Sequence, residues 1–327
     1  MESNKKNLIV TLANEGYLEQ AKQLFAGVFY NAGWKGDYLL LAHNVAPEKL
    51  KWFKNNGIKI YKTKTINKYT GPGNYPEVVL SKLYLFKEYF KKWNKIIYLD
   101  ADIIVRASLD KLLETKYFSS PEGEEPYLKK QFTADKKIIE ELRLNQDYNL
   151  NSRAFLSGIF CFDTKLITTN TFNSLVIMQK HYSSACNYGE EPILNIFFYK
   201  KWEKLPIIYN MQPNYLKRHF NLKEAEYLAA IIHFGWATKP WNKVSYFHEE
   251  WQENYRNAEA INLNKRPDAK KVIGDAELKR FLKLLYFKKY PNTLIFYLDR
   301  QVGKTGLIVK KFFPSFYEKI KIIKDDK

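Results

Sequence analysis

Cysteine, long apolar runs and acidic residues are all scarce in this chain, and each shortage excludes something. Two cysteines, Cys161 and Cys186, are too few and too scattered for a disulfide framework or a thiolate zinc site. The five histidines show no H-E-x-x-H or other zinc spacing. A reducing compartment is expected. No apolar run approaches the roughly 18 residues that read as a spanning helix. "MESNKKNLIV" holds no signal-peptide core, so a cytoplasmic location is expected. The first turn lacks G-x-G-x-x-G, which excludes a dinucleotide-binding fingerprint. Asp and Glu number 35 against 53 Lys and Arg, a formal net charge of +18. That balance suits an anionic partner: nucleic acid, a phosphorylated small molecule or an anionic membrane surface.

What is present is a large apolar and aromatic content. A chain of 327 residues with 16% aromatics can bury a sizeable core, as one α/β domain with an appendage or as two modest domains. "NLIVTLA" is a short β-branched run that ends in a polar loop, "NEGY". "LEQAKQLFAGVFYNAG" carries apolar residues at helical spacing and stops at Gly33. "DYLLLAHN" and "IKIYKT" read as further strands, with the helix "PEKLKWFKNNG" between them. This β-α-β-α-β order predicts a mostly parallel sheet with helices on both faces. "VVLSKLYLFKEYFKKW", "DKKIIEELRLN" and "EEPILNIFFYKKW" read as helices; "AFLSGIFCFD", "LPIIYNMQPNYL" and "AAIIHFGW" read as strands. Residues 115–152 look like an insertion. Residues 1–264 are assigned to the catalytic domain and 265–327 to a basic, aromatic, helical tail. The tail holds 17 Lys or Arg against 7 Asp or Glu, more than half of the net positive charge. In it Leu278, Phe281, Leu282 and Leu285 follow i, i+3, i+4, i+7 spacing, with Lys279, Arg280 and Lys283 on other faces. A basic helix with an apolar stripe suits an anionic membrane surface, so peripheral attachment to the inner face of the membrane is expected.

"NKIIYLDADIIV" sets two carboxylates, Asp100 and Asp102, between two apolar runs. "KIIYL" has no alternation, as in a central parallel strand. Ligands of open α/β sheets bind beyond the carboxyl ends of the strands, where this pair lies. Side chains two apart on extended backbone point the same way. Bare, the two would repel each other. A divalent cation removes the repulsion and bridges to a diphosphate.

With these blocks the chain resembles a retaining glycosyltransferase of family 8, over roughly Leu8 to Trp241. That resemblance implies an α/β fold of the GT-A type. It implies a D-x-D pair, Asp100 and Asp102 flanking Ala101, that binds Mn2+ (Mg2+ the alternative) and the diphosphate of a UDP-sugar. "IVTLANEGY" is similar to the family's uridine-holding strand and loop, implicating Thr11, Ala13, Asn14 and the stacking ring of Tyr17. "LSKLYLF" supplies Lys82, and "FLSGIF" supplies Ser157 and Gly158, with Leu156 in place of the usual asparagine. "EEPILN" resembles D-Q-x-x-L-N, with Glu190 at the Asp position and Glu191 at the Gln position. Both are candidate catalytic carboxylates. "IIHFGWATKPW" resembles H-F-x-G-x-x-K-P-W: His233 is implied as the third metal ligand and Lys239 as the cation that meets the leaving diphosphate. Its glycine comes one place early, at Gly235, and Trp236 stands where glycine is usual. The expected activity is transfer of glucose or galactose to a hydroxyl of a glycan or glycolipid. A sugar-phosphate nucleotidyltransferase is the near rival, but "TLANEGY" lacks the basic residue such a loop needs. The distant rival is a nucleic-acid-binding protein that uses the basic aromatic tail.

Overall fold

A computed structural model of the chain describes residues 5–279, apart from 73–74, 134, 146 and 214–228. The chain forms two compact units: Met1–Asn214 with Ala229–Ile273, and Tyr215–Leu228 with Gly274–Lys327. The apolar stripe expected beyond Leu278 lies outside the described residues, as does the end of the strand expected over "LPIIYNMQPNYL"; the described part of that segment is a 3-10 turn, Ile207–Tyr209, and an isolated bridge at Met211 rather than a strand.

The β-branched apolar runs become the centre of a seven-stranded sheet. β1 (Leu8–Ala13), β2 (Asp37–His43), β3 (Lys59–Thr63) and β4 (Lys95–Leu99) pair in parallel in the order β3-β2-β1-β4. The sheet then continues through β9 (Ile159–Asp163), β6 (Phe118–Ser120) and β10 (Trp202–Lys204). Only β9 runs antiparallel to its neighbours. β6 therefore belongs to the main sheet, although its residues fall in the stretch read as an insertion. The rest of that stretch holds β7 (Glu122–Tyr127), which pairs with β8 (Arg153–Phe155), and α3 (Lys136–Leu144). Asp135 caps α3 by accepting from the backbone N–H groups of Lys137 and Ile138.

Period-two alternation sends the strands' side chains to two faces. Leu8, Val10, Leu12, Ile96 and Tyr98 join one core with Leu83, Phe86, Leu175 and Leu194. That face is covered by α4 (Thr171–Tyr182) and α5 (Glu191–Phe197). Its centre is aromatic: the Phe118 ring stacks on Phe198 at 4.2 Å and on Phe160 at 5.3 Å. On the opposite face Phe25 of α1 (Leu18–Tyr30) meets the Tyr38 ring of β2 at 5.8 Å. α6 (His248–Asn257) lies outside α1, and Asn31 Nδ2 donates to Asn254 Oδ1 at 3.2 Å.

Two local expectations change. The segment read as one helix over Val78–Trp93 is two 3-10 stretches, Glu77–Phe86 and Glu88–Lys92, interrupted by extended backbone at Lys87. Leu80, Leu83 and Phe86 recur every three residues, the spacing that lines up one ridge of a 3-10 helix. "AFLSGIFCFD" is not one strand: Leu156, Ser157 and Gly158 turn between β8 and β9. Residues 265–273 pack with the first unit rather than starting a separate tail. Arg266 donates to the carbonyls of Trp34 and Gly36, and Ser108 N–H donates to Lys271 O.

Candidate active site

Parallel pairing of β1 with β4 puts their carboxyl ends on one edge of the sheet, so Ala13 and Asp100 emerge side by side. Antiparallel β9 begins at that edge, and Asp100 N–H donates to Gly158 O at 2.8 Å. Asp100-Ala101-Asp102 is not extended backbone. It is a turn from β4 into β5 (Ile103–Val105), which leaves the main sheet and pairs with β11 (Ile231–His233). Turning, rather than strand alternation, makes the two carboxylates converge.

The β5–β11 register sets His233 opposite Ile103. Its Nε2 then lies 3.5 Å from Asp102 Oδ1 and 4.0 Å from Asp100 Oδ2. One ligand atom from each of the three residues falls within 4.8 Å of the others. Nδ1 of His233 is 2.9 Å from Asn210 Oδ1. An amide oxygen only accepts, so Nδ1 carries a proton, and Nε2 is the nitrogen turned toward the carboxylates. Gly158 makes room: a Cβ there would come within 2.5 Å of His233 Cε1 and 2.8 Å of Asp100 Oδ2. Burial works against the charge of Asp102, but His233 and Lys239 more than offset it and hold its carboxyl well below the usual range.

Two lysines flank the cluster. Lys239 Nζ is 2.5 Å from Asp102 Oδ2 and also donates to Gly235 O. Lys82 is buried, with Nζ 2.8 Å from Glu190 Oε1 and 3.2 Å from Asp100 Oδ1. Burial disfavours its charge, and Asp100 and Glu190 together reverse that and hold it protonated. Tyr98 O–H donates to Asp100 Oδ1 at 2.6 Å, and Lys82 Nζ stands 5.1 Å from the Tyr98 ring centroid.

The two glutamates face different partners. Glu190 Oε1 accepts from Ser157 Oγ–H at 2.7 Å as well as from Lys82. Glu191 opens α5, and both its oxygens are engaged: Oε2 by Ser157 N–H at 2.8 Å, Oε1 by Gln131 Nε2 at 2.7 Å. Burial pushes Glu191 up to about 7 against the pull of those two donors. Burial also raises Glu190, against the pull of Lys82 and Ser157.

Toward the end of β1, Thr11 is buried, and among the described residues neither its Oγ1 nor Asn14 Oδ1 has a partner. Tyr17 closes the short turn Glu15–Tyr17, and its ring meets Trp241 edge-on at 5.9 Å. Gly235 adopts φ +37° and supplies the left-handed turn between His233 and Lys239, one place earlier than the family pattern has it. The structure thus gathers Asp100, Asp102, His233, Lys239, Lys82, Glu190, Glu191, Ser157 and Gly158 into one network, with Thr11, Ala13, Asn14 and Tyr17 along the neighbouring strand end. Sequence reasoning missed Asn210, Tyr98 and Gln131. Tyr98 lies two residues before Asp100, near the end of β4, a spacing that was within reach of the sequence. Nothing in the spacing pointed to Asn210 or Gln131. Asn210 reaches His233 because Met211 bridges Ile232 and Met211 O accepts from His233 N–H at 2.9 Å.

Comparison with known proteins gives the arrangement a lineage. A lipopolysaccharide 1,2-glucosyltransferase of Escherichia coli is 25% identical over 228 residues, which is 66% of this chain and 64% of that one. Glycosyltransferase GlyF of Streptococcus pneumoniae is 26% identical over 265 residues, 74% of this chain and 60% of that one. The match thus spans less than two thirds of the length of these relatives. Among solved structures, an active-site mutant of LgtC shares the fold with a TM-score of 0.61 at 18% identity, covering 76% of this chain and 95% of that one. Residues 9–245 match the sequence profile of glycosyl transferase family 8. They include all but the outermost elements of the first unit and every residue of the cluster around Asp100 and His233, and the chain belongs to that family.

Proposed function

We propose that the protein moves a hexose, glucose or galactose, from a UDP-sugar to a hydroxyl of a glycan or glycolipid, with retention of configuration and with Mn2+ as cofactor. The observation that carries this reading is the convergence of Asp100, Asp102 and His233 beside Lys239 and Lys82. Support comes from family membership and from the names of relatives: a lipopolysaccharide glucosyltransferase, and the galactosyltransferase LgtC, whose structure holds donor and acceptor sugar analogues.

Two carboxylate oxygens and an imidazole nitrogen within 4.8 Å fit a single divalent cation. This mixed donor set favours Mn2+ over Mg2+, which prefers all-oxygen octahedra. Bound there, the cation supplies positive charge to the donor's diphosphate. The chain's own groups do the rest. The partnerless Thr11 Oγ1 and Asn14 Oδ1 meet the polar edge of uracil beside the Tyr17 ring, and Ala13 backs them. Ala101, Ser157, Gly158 and Gly235 leave the backbone close to the diphosphate and the sugar. Lys239 neutralises the leaving UDP. Lys82 and Glu190, already paired, line the sugar's side of the pocket. The anomeric carbon loses its bond to the β-phosphate oxygen and gains one to the acceptor oxygen on the same face. The acceptor's proton goes to the departing phosphate oxygen. This same-face route suits a site whose two candidate carboxylates are already engaged, Glu191 by Ser157 and Gln131, Glu190 by Lys82 and Ser157.

The test needs no acceptor. The protein is incubated with UDP-glucose or UDP-galactose and Mn2+, and UDP release is followed. Slow release is expected, abolished by EDTA and restored by excess Mn2+. No release from either sugar nucleotide, with Mn2+ or Mg2+, would sink the reading.

A further inference from the structure

We propose that Trp236 and Tyr75 form a platform that holds a pyranose ring of the acceptor, an inference that rests on the transferase reading above. Trp236 is 77% exposed, on the turn between His233 and Lys239. A single exposed apolar residue needs no explanation by itself. This one is braced: its ring meets the Tyr75 ring at 6.0 Å and 83°. Tyr75 in turn meets Tyr188 at 6.4 Å and Tyr69 at 6.0 Å. A Cβ on Gly189 would lie 3.6 Å from Tyr75 Cδ1, so Tyr75 also abuts the residue before Glu190. The aromatic group therefore runs from the turn carrying Trp236 to the start of the glutamate pair.

The chemistry of the group selects its occupant. A pyranose presents a face of C–H bonds flanked by an edge of hydroxyls. The C–H face lies well on an aromatic ring, and the hydroxyls need donors and acceptors. Tyr75 offers both a ring and a phenol. Its burial, and next the negative charge of Glu191 and Glu190, keep that phenol protonated, so it remains a donor. A Cβ on Gly235, the residue before Trp236, would meet none of the described residues within 4 Å. A hydroxyl on a ring so held faces the same pocket edge that Glu190 and Lys82 line.

The test uses the full-length protein, the UDP-hexose it hydrolyses, and methyl glucoside, methyl galactoside and methyl N-acetylglucosaminide as probes. Disaccharide and free hexose are quantified together. At least one probe should give disaccharide. Trp236→Ala should then lower the ratio of disaccharide to hydrolysis about tenfold by raising KM for the probe, and Trp236→Phe should restore most of it. An unchanged ratio in Trp236→Ala overturns the proposal, as does a parent protein that hydrolyses donor but gives no disaccharide with any probe. A Trp236→Ala protein that keeps the ratio but no longer floats with phosphatidylglycerol vesicles assigns the ring to a membrane instead, and also overturns it. Failure of the parent to hydrolyse any donor removes the transferase reading itself, a result distinct from the others.

Discussion

Replacing Glu191 by glutamine should stabilise the protein above pH 7 and cost up to about 1 kcal/mol near pH 4.5. Burial holds the Glu191 carboxyl at about 7, against an ordinary value of 4.5. The folded state therefore binds this proton more tightly than the unfolded chain does. The resulting stability is fully present below 4.5 and is lost as pH rises toward 7. At about 1.4 kcal/mol per pH unit, the loss amounts to about 3 kcal/mol. Glutamine has the same shape and no charge to bury. Its Oε1 can accept from Ser157 N–H as Glu191 does now. Its amide would then face Gln131 Nε2, so Gln131 must turn over and release Asn195 Nδ2, a contact already long at 3.5 Å. That rearrangement costs about 1 kcal/mol. The net gain at pH 8 is about 2 kcal/mol. Urea unfolding of parent and variant at intervals from pH 4.5 to 8.5 measures it, and the difference curve largely cancels the other titrating groups. A flat difference curve, or a parent more stable than the variant at pH 8.5, would refute the reasoning: Glu191 would then be an electrostatically supported carboxylate at neutral pH. On the same-face route the variant should also keep UDP-sugar turnover within about tenfold. A loss of several orders of magnitude, with glycosyl azide of inverted configuration formed by Glu191→Ala in azide, would instead favour a covalent route.

Asp102→Asn and His233→Ala should each cost at least about a hundredfold in Mn2+-dependent UDP release, about 2.7 kcal/mol in barrier, with the circular dichroism spectrum unchanged. Asn210→Ala frees the imidazole to choose either tautomer and should weaken Mn2+ about 10- to 100-fold, read from a Mn2+ titration of activity; an unchanged titration would deny Asn210 its positioning role. Gly158→Ala forces a methyl against His233 and should destabilise the fold by about 1–3 kcal/mol in urea and silence turnover; a fully active, equally stable variant would contradict the packing. The intact chain should float with anionic vesicles, and a chain ending at Ile273 should not; equal behaviour would remove the tail from membrane binding.

The sheet was legible because its central strands are buried on both faces and read as uninterrupted apolar runs, "LIVTLA", "YLLLA" and "KIIYL". The site was legible wherever its residues cluster locally: Asp100 with Asp102, Ser157 with Gly158, Glu190 with Glu191, His233 with Lys239. Two things were hidden. One is local conformation, since "LSKLYLF" has apolar residues that satisfy both a 3.6-residue and a three-residue repeat, and packing chose the latter. The other is long-range pairing. Asn210 serves His233, and Gln131 serves Glu191 from 60 residues away, through contacts that no periodicity encodes. The same limit applied to Glu190 and Glu191: adjacent in sequence, they differ in role because a helix start sends one toward Lys82 and the other toward Gln131.

The pairing of β11 with β5 also sets the moment at which the protein can begin to work. Asp102 and Lys239 are 137 residues apart in the chain. At a synthesis rate of about 5–20 residues per second, a ribosome needs on the order of ten seconds to go from one to the other. During that interval β1, β2, β3 and β4 can already assemble, but Asp100 and Asp102 have only Lys82 and Tyr98 for company. His233, the third residue of the cluster, arrives on a strand of three residues late in the first unit. Closing a loop of that length costs about 4–5 kcal/mol of chain entropy. A nascent or prematurely terminated chain that stops just short of β11 would therefore carry the whole seven-stranded sheet without His233 or Lys239, and on the proposed function uptake of the cation would serve as a readout of completed folding.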